Sequence, residues 1–185
     1  MSNWFIGWPL EAAALDAILA APPRGVRVLA PEDRHVTLAF LGPVGEARAG
    51  AAFDALDVAS LRPLEVTLGG VVLMGHPRRG TALAAELERG RDGTEAAIGA
   101  LREAPIAAAG ARAEARPPYA HATLARIAQR ASPTERRAAL RWAAALPTRG
   151  LGATLAAIAL FGPAEHPGPA RYRAVRVTAL APAPS

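Results

Sequence analysis

Two of the four histidines in this 185-residue chain open the same pattern, H-x-T-L: His35-Val36-Thr37-Leu38 and His121-Ala122-Thr123-Leu124. In an extended strand residues i and i+2 share a face, so His35 projects with Thr37 and His121 with Thr123. Val36, Leu38 and Phe40, and in the second copy Ala122 and Leu124, would point the other way, into the core. An imidazole has an ordinary pKa of about 6.5, so both of its forms are available near neutrality. Two such rings across a cleft are the minimum for metal-free acid–base chemistry at a phosphodiester. A neutral ring takes a proton from the attacking water and a charged ring gives one to the departing oxygen. Two threonine hydroxyls can donate to the non-bridging oxygens, where charge is held during displacement. Sequence physics leaves open which histidine gives the proton and which takes it.

Other chemistries are harder to build. The chain has no cysteine, which excludes a disulfide framework, a thiolate nucleophile and Cys-based metal centres. It has neither H-x-H nor H-E-x-x-H, and Asp33 is a single carboxylate in the turn before His35, so no metal or cofactor is expected. His76 and His166 stand beside Pro77 and Pro167 and read as exposed turn residues. Ser132 reads as a helix cap and Trp142 as core. All 21 basic residues are arginine and the net charge is +5, a balance that suits phosphate-bearing partners. Arg78 and Arg79 lie in a loop from which phosphate contacts are possible. No apolar run reaches the length of a membrane span and MSNWFIGWPLEAAA lacks the basic start of a signal peptide, so a soluble, cytoplasmic protein is expected.

The elements that must position the two motifs follow from hydrophobic period and turn chemistry. WFIGW (4–8), VRVLA (26–30) and HVTLAFL (35–41) read as strands, with PEDR (31–34) as the turn between the last two. Pro9 starts a helix carrying Leu15, Ile18 and Leu19, and 46–57 reads as a second helix. LEVTL (64–68) and VVLM (71–74) alternate on either side of a Gly-Gly break that marks a bulge or bend. TALAAELE (81–88) is ambiguous between helix by propensity and strand by position. Residues 94–103 read as helix and a strand begins at about Tyr119. In SPTE (132–135) Ser132, Pro133 and Glu135 form a capping box that starts a helix ending near Leu146. Two β segments, 152–161 and 171–180, close the chain around the loop GPAEHPGP. Interleaved helices and alternating strands indicate an α+β fold with antiparallel sheets, here expected as one domain over 1–185. The shared H-x-T-L-A at 35 and 121 points to a weak internal duplication.

These residues resemble the 2H phosphoesterase superfamily, whose mark is a pair of H-x-[ST]-x motifs, and within it the LigT-like RNA 2′,3′-cyclic phosphodiesterases, also called 2′-5′ RNA ligases. WFIGWPL is similar to that family's first strand, VRVLAPEDRHVTLAFLG to its first motif, ARPPYAHATLARI to its second and RYRAVRVTAL to its last strand. The second motif departs from the usual pattern in carrying Ala120 where a proline normally precedes the histidine. The resemblance implies a two-lobed fold in which each lobe brings one motif to a central cleft, and it favours strand for TALAAELE. It implies metal-independent hydrolysis of RNA 2′,3′-cyclic phosphate ends to 2′-phosphomonoesters, with His35 as proton donor, His121 as proton acceptor, and Thr37 and Thr123 binding the phosphate. Tyr119 and Arg126 are possible substrate-binding residues. Arg126 has the opposite parity to His121, so a bend in the strand would have to bring it to the cleft, and a salt-bridging role is the alternative. The partners expected are RNA ends with a 2′,3′-cyclic phosphate or a 2′-5′ linkage, met by a monomer. The alternatives are another activity of the superfamily, such as 2′-5′ cleavage, ligation or small cyclic nucleotide hydrolysis, or a module that binds RNA ends without turnover.

Overall fold

The computed structural model of the chain describes residues 3–166 and 168–181. The strands are β1 (Trp4–Pro9), β2 (Val26–Val28), β3 (His35–Gly42), β4 (Leu64–Met74), β5 (Ala82–Arg89), β6 (His121–Ile127), β7 (Gly152–Leu155), β8 (Ala157–Pro163) and β9 (Tyr172–Ala179). The helices are α1 (Ala14–Ile18), α2 (Glu46–Asp54), α3 (Arg91–Leu101), α4 (Glu103–Ala108) and α5 (Pro133–Ala145). All strands join one curled sheet in the order β7-β4-β5-β6-β3-β1-β8-β9, with β2 also paired to β6, and all these pairings are antiparallel. The α+β class and antiparallel sheet expected from the pattern are what the chain adopts.

The sheet divides in the middle. β3 and β6 meet at one register pair, Val36 opposite Ala122, the two residues that sit between His and Thr in each motif. Farther along β6 its partner on that edge is β2, with Val26, Arg27 and Val28 opposite Ile127, Arg126 and Ala125. β3 therefore leaves β6 almost at once, and the divergence opens a cleft between the motif strands. The core lies on the other side: Ile6, Trp8, Leu38, Leu83, Leu124 and Ile158 are all buried. It is closed by α2, packed on α4 and β8, by α3 and α4 against β3, and by α5 against β4.

Local chemistry explains most boundaries. At α5 the Ser132 hydroxyl accepts from the Glu135 amide (3.2 Å), the Glu135 carboxylate accepts from the Ser132 amide (2.8 Å), and Pro133 occupies the first turn, as the capping box predicts. The Gly69-Gly70 break is a register shift within one continuous strand, β4. TALAAELE is strand: Leu83, Ala84, Ala85 and Leu87 are all buried between the paired neighbours β4 and β6, and that packing overrides helix propensity.

Residues 152–161 are not one strand but two, β7 pairing with β4 and β8 with β1 and β9, at opposite ends of the sheet. The chain crosses at Ala156, whose carbonyl accepts from the Leu180 amide (2.9 Å). Buried residues shift parity there, from Ala153 and Leu155 to Ile158 and Leu160, and period-2 reading runs through such a slip. The helix expected from Pro9 also starts later, at Ala14.

Candidate active site

β3 and β6 share a burial pattern over seven positions: half-buried, buried, half-buried, buried, buried, exposed, buried. The break in alternation at the fourth and fifth positions is a bulge in each strand. Thr37 faces Gly7 of β1 but Ala39 faces Ile6, which leaves Leu38 as the extra residue. Thr123 faces Ala84 of β5 but Ala125 faces Leu83, which leaves Leu124 as the extra residue. An extra residue flips every side chain beyond it to the other face. Phe40 and Arg126, the fifth residues after each histidine, therefore turn onto the motif face. Phe40 is 53% exposed and not part of the core, a correction to the alternation expected from HVTLAFL.

The cleft has a volume of about 830 Å³, and His35, Thr37, His121 and Thr123 all line it. Each imidazole is fixed in the same way. His35 Nδ1 donates to the carbonyl of Asp33 (2.7 Å) and His121 Nδ1 donates to the carbonyl of Tyr119 (2.8 Å), in both cases the residue two before it. A carbonyl only accepts, so the proton is on Nδ1 and Nε2 is the nitrogen left for chemistry. Gly7 permits the close packing of β1 behind Thr37, because a Cβ there would lie 2.5 Å from the Val36 carbonyl oxygen.

The surroundings of the two rings differ. His35 stacks on Phe5 (centroids 4.2 Å apart, planes at 23°), and Phe5 packs in turn on Phe161 and Tyr172. Burial against these rings pushes the His35 pKa down to about 4, the Asp33 carbonyl opposing and the charges of His121 and Arg126 adding to the fall. His121 has only Tyr119 beside it, with ring centroids 5.6 Å apart. Asp33 is itself buried, and its carboxylate accepts from the backbone amides of Arg171 (2.9 and 3.0 Å) and Tyr172 (2.9 Å). It therefore ties the start of β9 to the turn that orients His35.

Residues 10–84 match the family model described as LigT like Phosphoesterase. The chain is similar in structure to E. coli LigT complexed with 3′-AMP, at 21% identity and TM-score 0.69, covering 97% of this chain and 98% of that one. It is similar to TT0787 of Thermus thermophilus at 21% identity and TM-score 0.70, covering 98% and 99%. A more distant likeness, to Usb1 of Kluyveromyces marxianus, has 11% identity and TM-score 0.51 over 86% and 92%. No curated protein matches the chain. The match to the family model spans less than half of the chain, and the likeness to the solved structures is one of fold.

The four motif residues all line one cleft, each His beside the Thr two residues on, as strand parity predicted. Arg126 reaches the cleft through the β6 bulge and makes no ion pair among the described residues. Tyr119 does not line the cleft; its carbonyl orients His121 and its hydroxyl donates to Glu86. Arg78 and Arg79 lie exposed in the 75–80 loop, outside the cleft, as does His76. His166 is exposed, while the turn expected at Pro167 lies outside the described residues. Among the described residues no group of three or more His, Asp or Glu is placed to hold a metal ion, and no helix is long and apolar enough to cross a membrane.

Sequence reasoning missed Phe5, Asp33, Arg27 and Arg171 as parts of the site. Arg27 carries a legible signal, since it is the polar member of the alternating triplet Val26-Arg27-Val28. Arg171 carries none, because it comes to the cleft at the end of a loop far along the chain.

Proposed function

We propose that the chain is a metal-independent phosphodiesterase that opens RNA 2′,3′-cyclic phosphate ends to 2′-phosphomonoesters. The observation that carries this reading is the matched pair of imidazoles, each held by Nδ1 on the carbonyl two residues earlier, with both motif threonines lining the same cleft. Water adds to phosphorus as His121 Nε2 takes its proton; the bond from phosphorus to the 3′ oxygen breaks as His35 gives that oxygen a proton. The 2′ ester bond stays. Thr37 and Thr123 hold the non-bridging oxygens, and the protons on the two rings re-equilibrate through solvent after release of product.

In the free protein at neutral pH, His35 with a pKa of about 4 is neutral. As donor it therefore charges together with the substrate, because the phosphodiester anion supplies the counter-charge that the aromatic stack denies it. The same reading has residues 1–185 working as one bilobal unit, the two halves of the sheet each bringing one motif. It has the chain acting as a cytoplasmic monomer on RNA ends.

The test is incubation of an oligonucleotide ending in a 2′,3′-cyclic phosphate with the purified protein in EDTA, the product identified by phosphorus NMR. Conversion to the 2′-monoester is expected; no turnover, or turnover that chelation abolishes, overturns the reading. The donor assignment has its own test. Binding of adenosine 3′-monophosphate at pH 7, followed by calorimetry in buffers of different ionisation enthalpy, should take up a proton in the parent and not in His35→Asn. Binding without proton uptake would reverse the two roles.

A further inference from the structure

The described residues include three guanidiniums at one end of the cleft that neither the motifs nor the rest of the fold use. Arg27 on β2 and Arg126 on β6 are register partners on adjacent antiparallel strands, so their side chains leave the same face of the sheet. Arg171, just before β9, lines the cleft with them. None of the three has a side-chain hydrogen bond or ion pair among the described residues, whereas Arg24, Arg34, Arg91, Arg116, Arg149 and Arg176 each pair with a carboxylate. Asp33, the carboxylate that lines this cleft, is already occupied by the amides of Arg171 and Tyr172. Burial first, then the like charge of Arg171 and of Arg126, lowers the Arg27 pKa against partial relief from Asp33. Like charges gathered without partners in a concave place repel one another and suit an anionic ligand.

The position fixes where that anion belongs. Arg126 is three residues past Thr123, one of them absorbed by the bulge, so its Cα lies roughly 7 Å along β6 from the threonine that faces the scissile phosphate. Planar guanidinium forks suit a phosphate's oxygens. We propose that Arg27, Arg126 and Arg171 form a subsite for a second phosphate, the one on the 5′ side of the nucleotide whose cyclic phosphate lies between the motifs. The inference rests on the reading given under Proposed function and names its substrate class: a strand end or a 5′-phosphorylated nucleotide, and not a bare nucleoside cyclic phosphate.

The subsite is tested by affinity and the hydrolase by turnover, so the two can fail separately. By calorimetry, adenosine 3′,5′-bisphosphate should bind at least about tenfold more tightly than adenosine 3′-monophosphate, with a steeper salt dependence. Arg27→Gln and Arg171→Gln should each shrink that ratio toward one while melting temperatures stay near the parent's, and Arg141→Gln, on the exposed side of α5, controls for net charge. Equal affinity for the two nucleotides overturns the subsite. So does a fall of equal size for both nucleotides in the two cleft variants, or a ratio lost equally in Arg141→Gln. Turnover is then compared for adenosine 2′,3′-cyclic phosphate, its 5′-phosphorylated form and a 5′-hydroxyl dinucleotide ending in the cyclic phosphate. A gain in kcat/KM for the second alone marks a terminal monoester as the natural occupant, and a gain for the third marks an internal phosphodiester. Turnover of all three at one kcat/KM overturns the subsite and leaves the hydrolase reading standing. A bisphosphate preference without turnover supports the subsite and overturns the hydrolase.

Discussion

His35 and His121 have one sequence pattern and one hydrogen-bonding scheme but different neighbours, and their different surroundings separate their behaviour. Replacing either by Asn removes the proton transfer and leaves the strand, so turnover of a cyclic-phosphate RNA should fall by ~10²–10⁴ in each variant, with little change in melting temperature. The Phe5 stack adds a prediction for His35 alone. Its folded pKa, about 4, lies below the ordinary value of about 6.5 that an unfolded chain shows. Between these values the unfolded state binds the extra proton, so stability is fully present above pH 6.5 and declines as pH falls toward 4. His35→Asn should flatten the fall in melting temperature between pH 7 and pH 5. An unchanged slope would mean the folded ring titrates like a solvated one.

At the scale of elements, two features hold the motif strands in register. Gly7 lets β1 lie against β3, and a methyl group there meets backbone at 2.5 Å, which no rotamer can relieve. Gly7→Ala should therefore cost about 1–3 kcal/mol, read by urea unfolding, and displace Thr37 enough to lower turnover. The second feature is the grip of Asp33 on β9. Oδ1 accepts from both amides and Oδ2 from that of Arg171, so in Asn the end that replaces Oδ2 sets a donor against the Arg171 amide and loses that bond. Asp33→Asn should lower kcat more than it changes KM and move the His35 ring titration, followed by NMR, further below 6.5, because the Asp33 carbonyl that raises it is held less firmly. A purely structural role would leave that titration where it is.

The elements also mark how far the sequence could be read. The capping box at Ser132, the strand at His35 and the pairing of the two H-x-T-L motifs were legible because each is set by neighbours within a few residues. The face of Phe40 and of Arg126 was not. Their orientation follows from bulges opposite Ile6-Gly7 and Leu83-Ala84, and nothing within HVTLAFL or HATLARI itself encodes an unpaired residue. The division of 152–161 was hidden for the same reason, since partner exchange at Ala156 is a property of distant strands.

For the whole molecule, β3 and β6 are joined within the sheet by one register pair, and the two halves are otherwise held by the core and the helices behind them. A nucleotide held by both motifs adds a tie across the cleft. Adenosine 3′-monophosphate at about 100 times its Kd should stabilise the fold by ~2.7 kcal/mol. It should also slow hydrogen exchange at 35–38 and 121–124 more than in β4. Equal protection everywhere would mean the halves already move as one.

The crossing at Ala156 bears on how such a molecule is made. During synthesis both motifs have been made by residue 127, yet β1 still has one bare edge until β8 (Ala157–Pro163) follows. Phe161, which packs on the Phe5 ring beneath His35, comes with it, and the Asp33 grip waits for Arg171 and Tyr172. A nascent chain with every motif residue in place is thus still without a finished site, and its open strand edge is a template for unwanted pairing. The cleft is completed by the last quarter of translation, in a stretch that contains no motif.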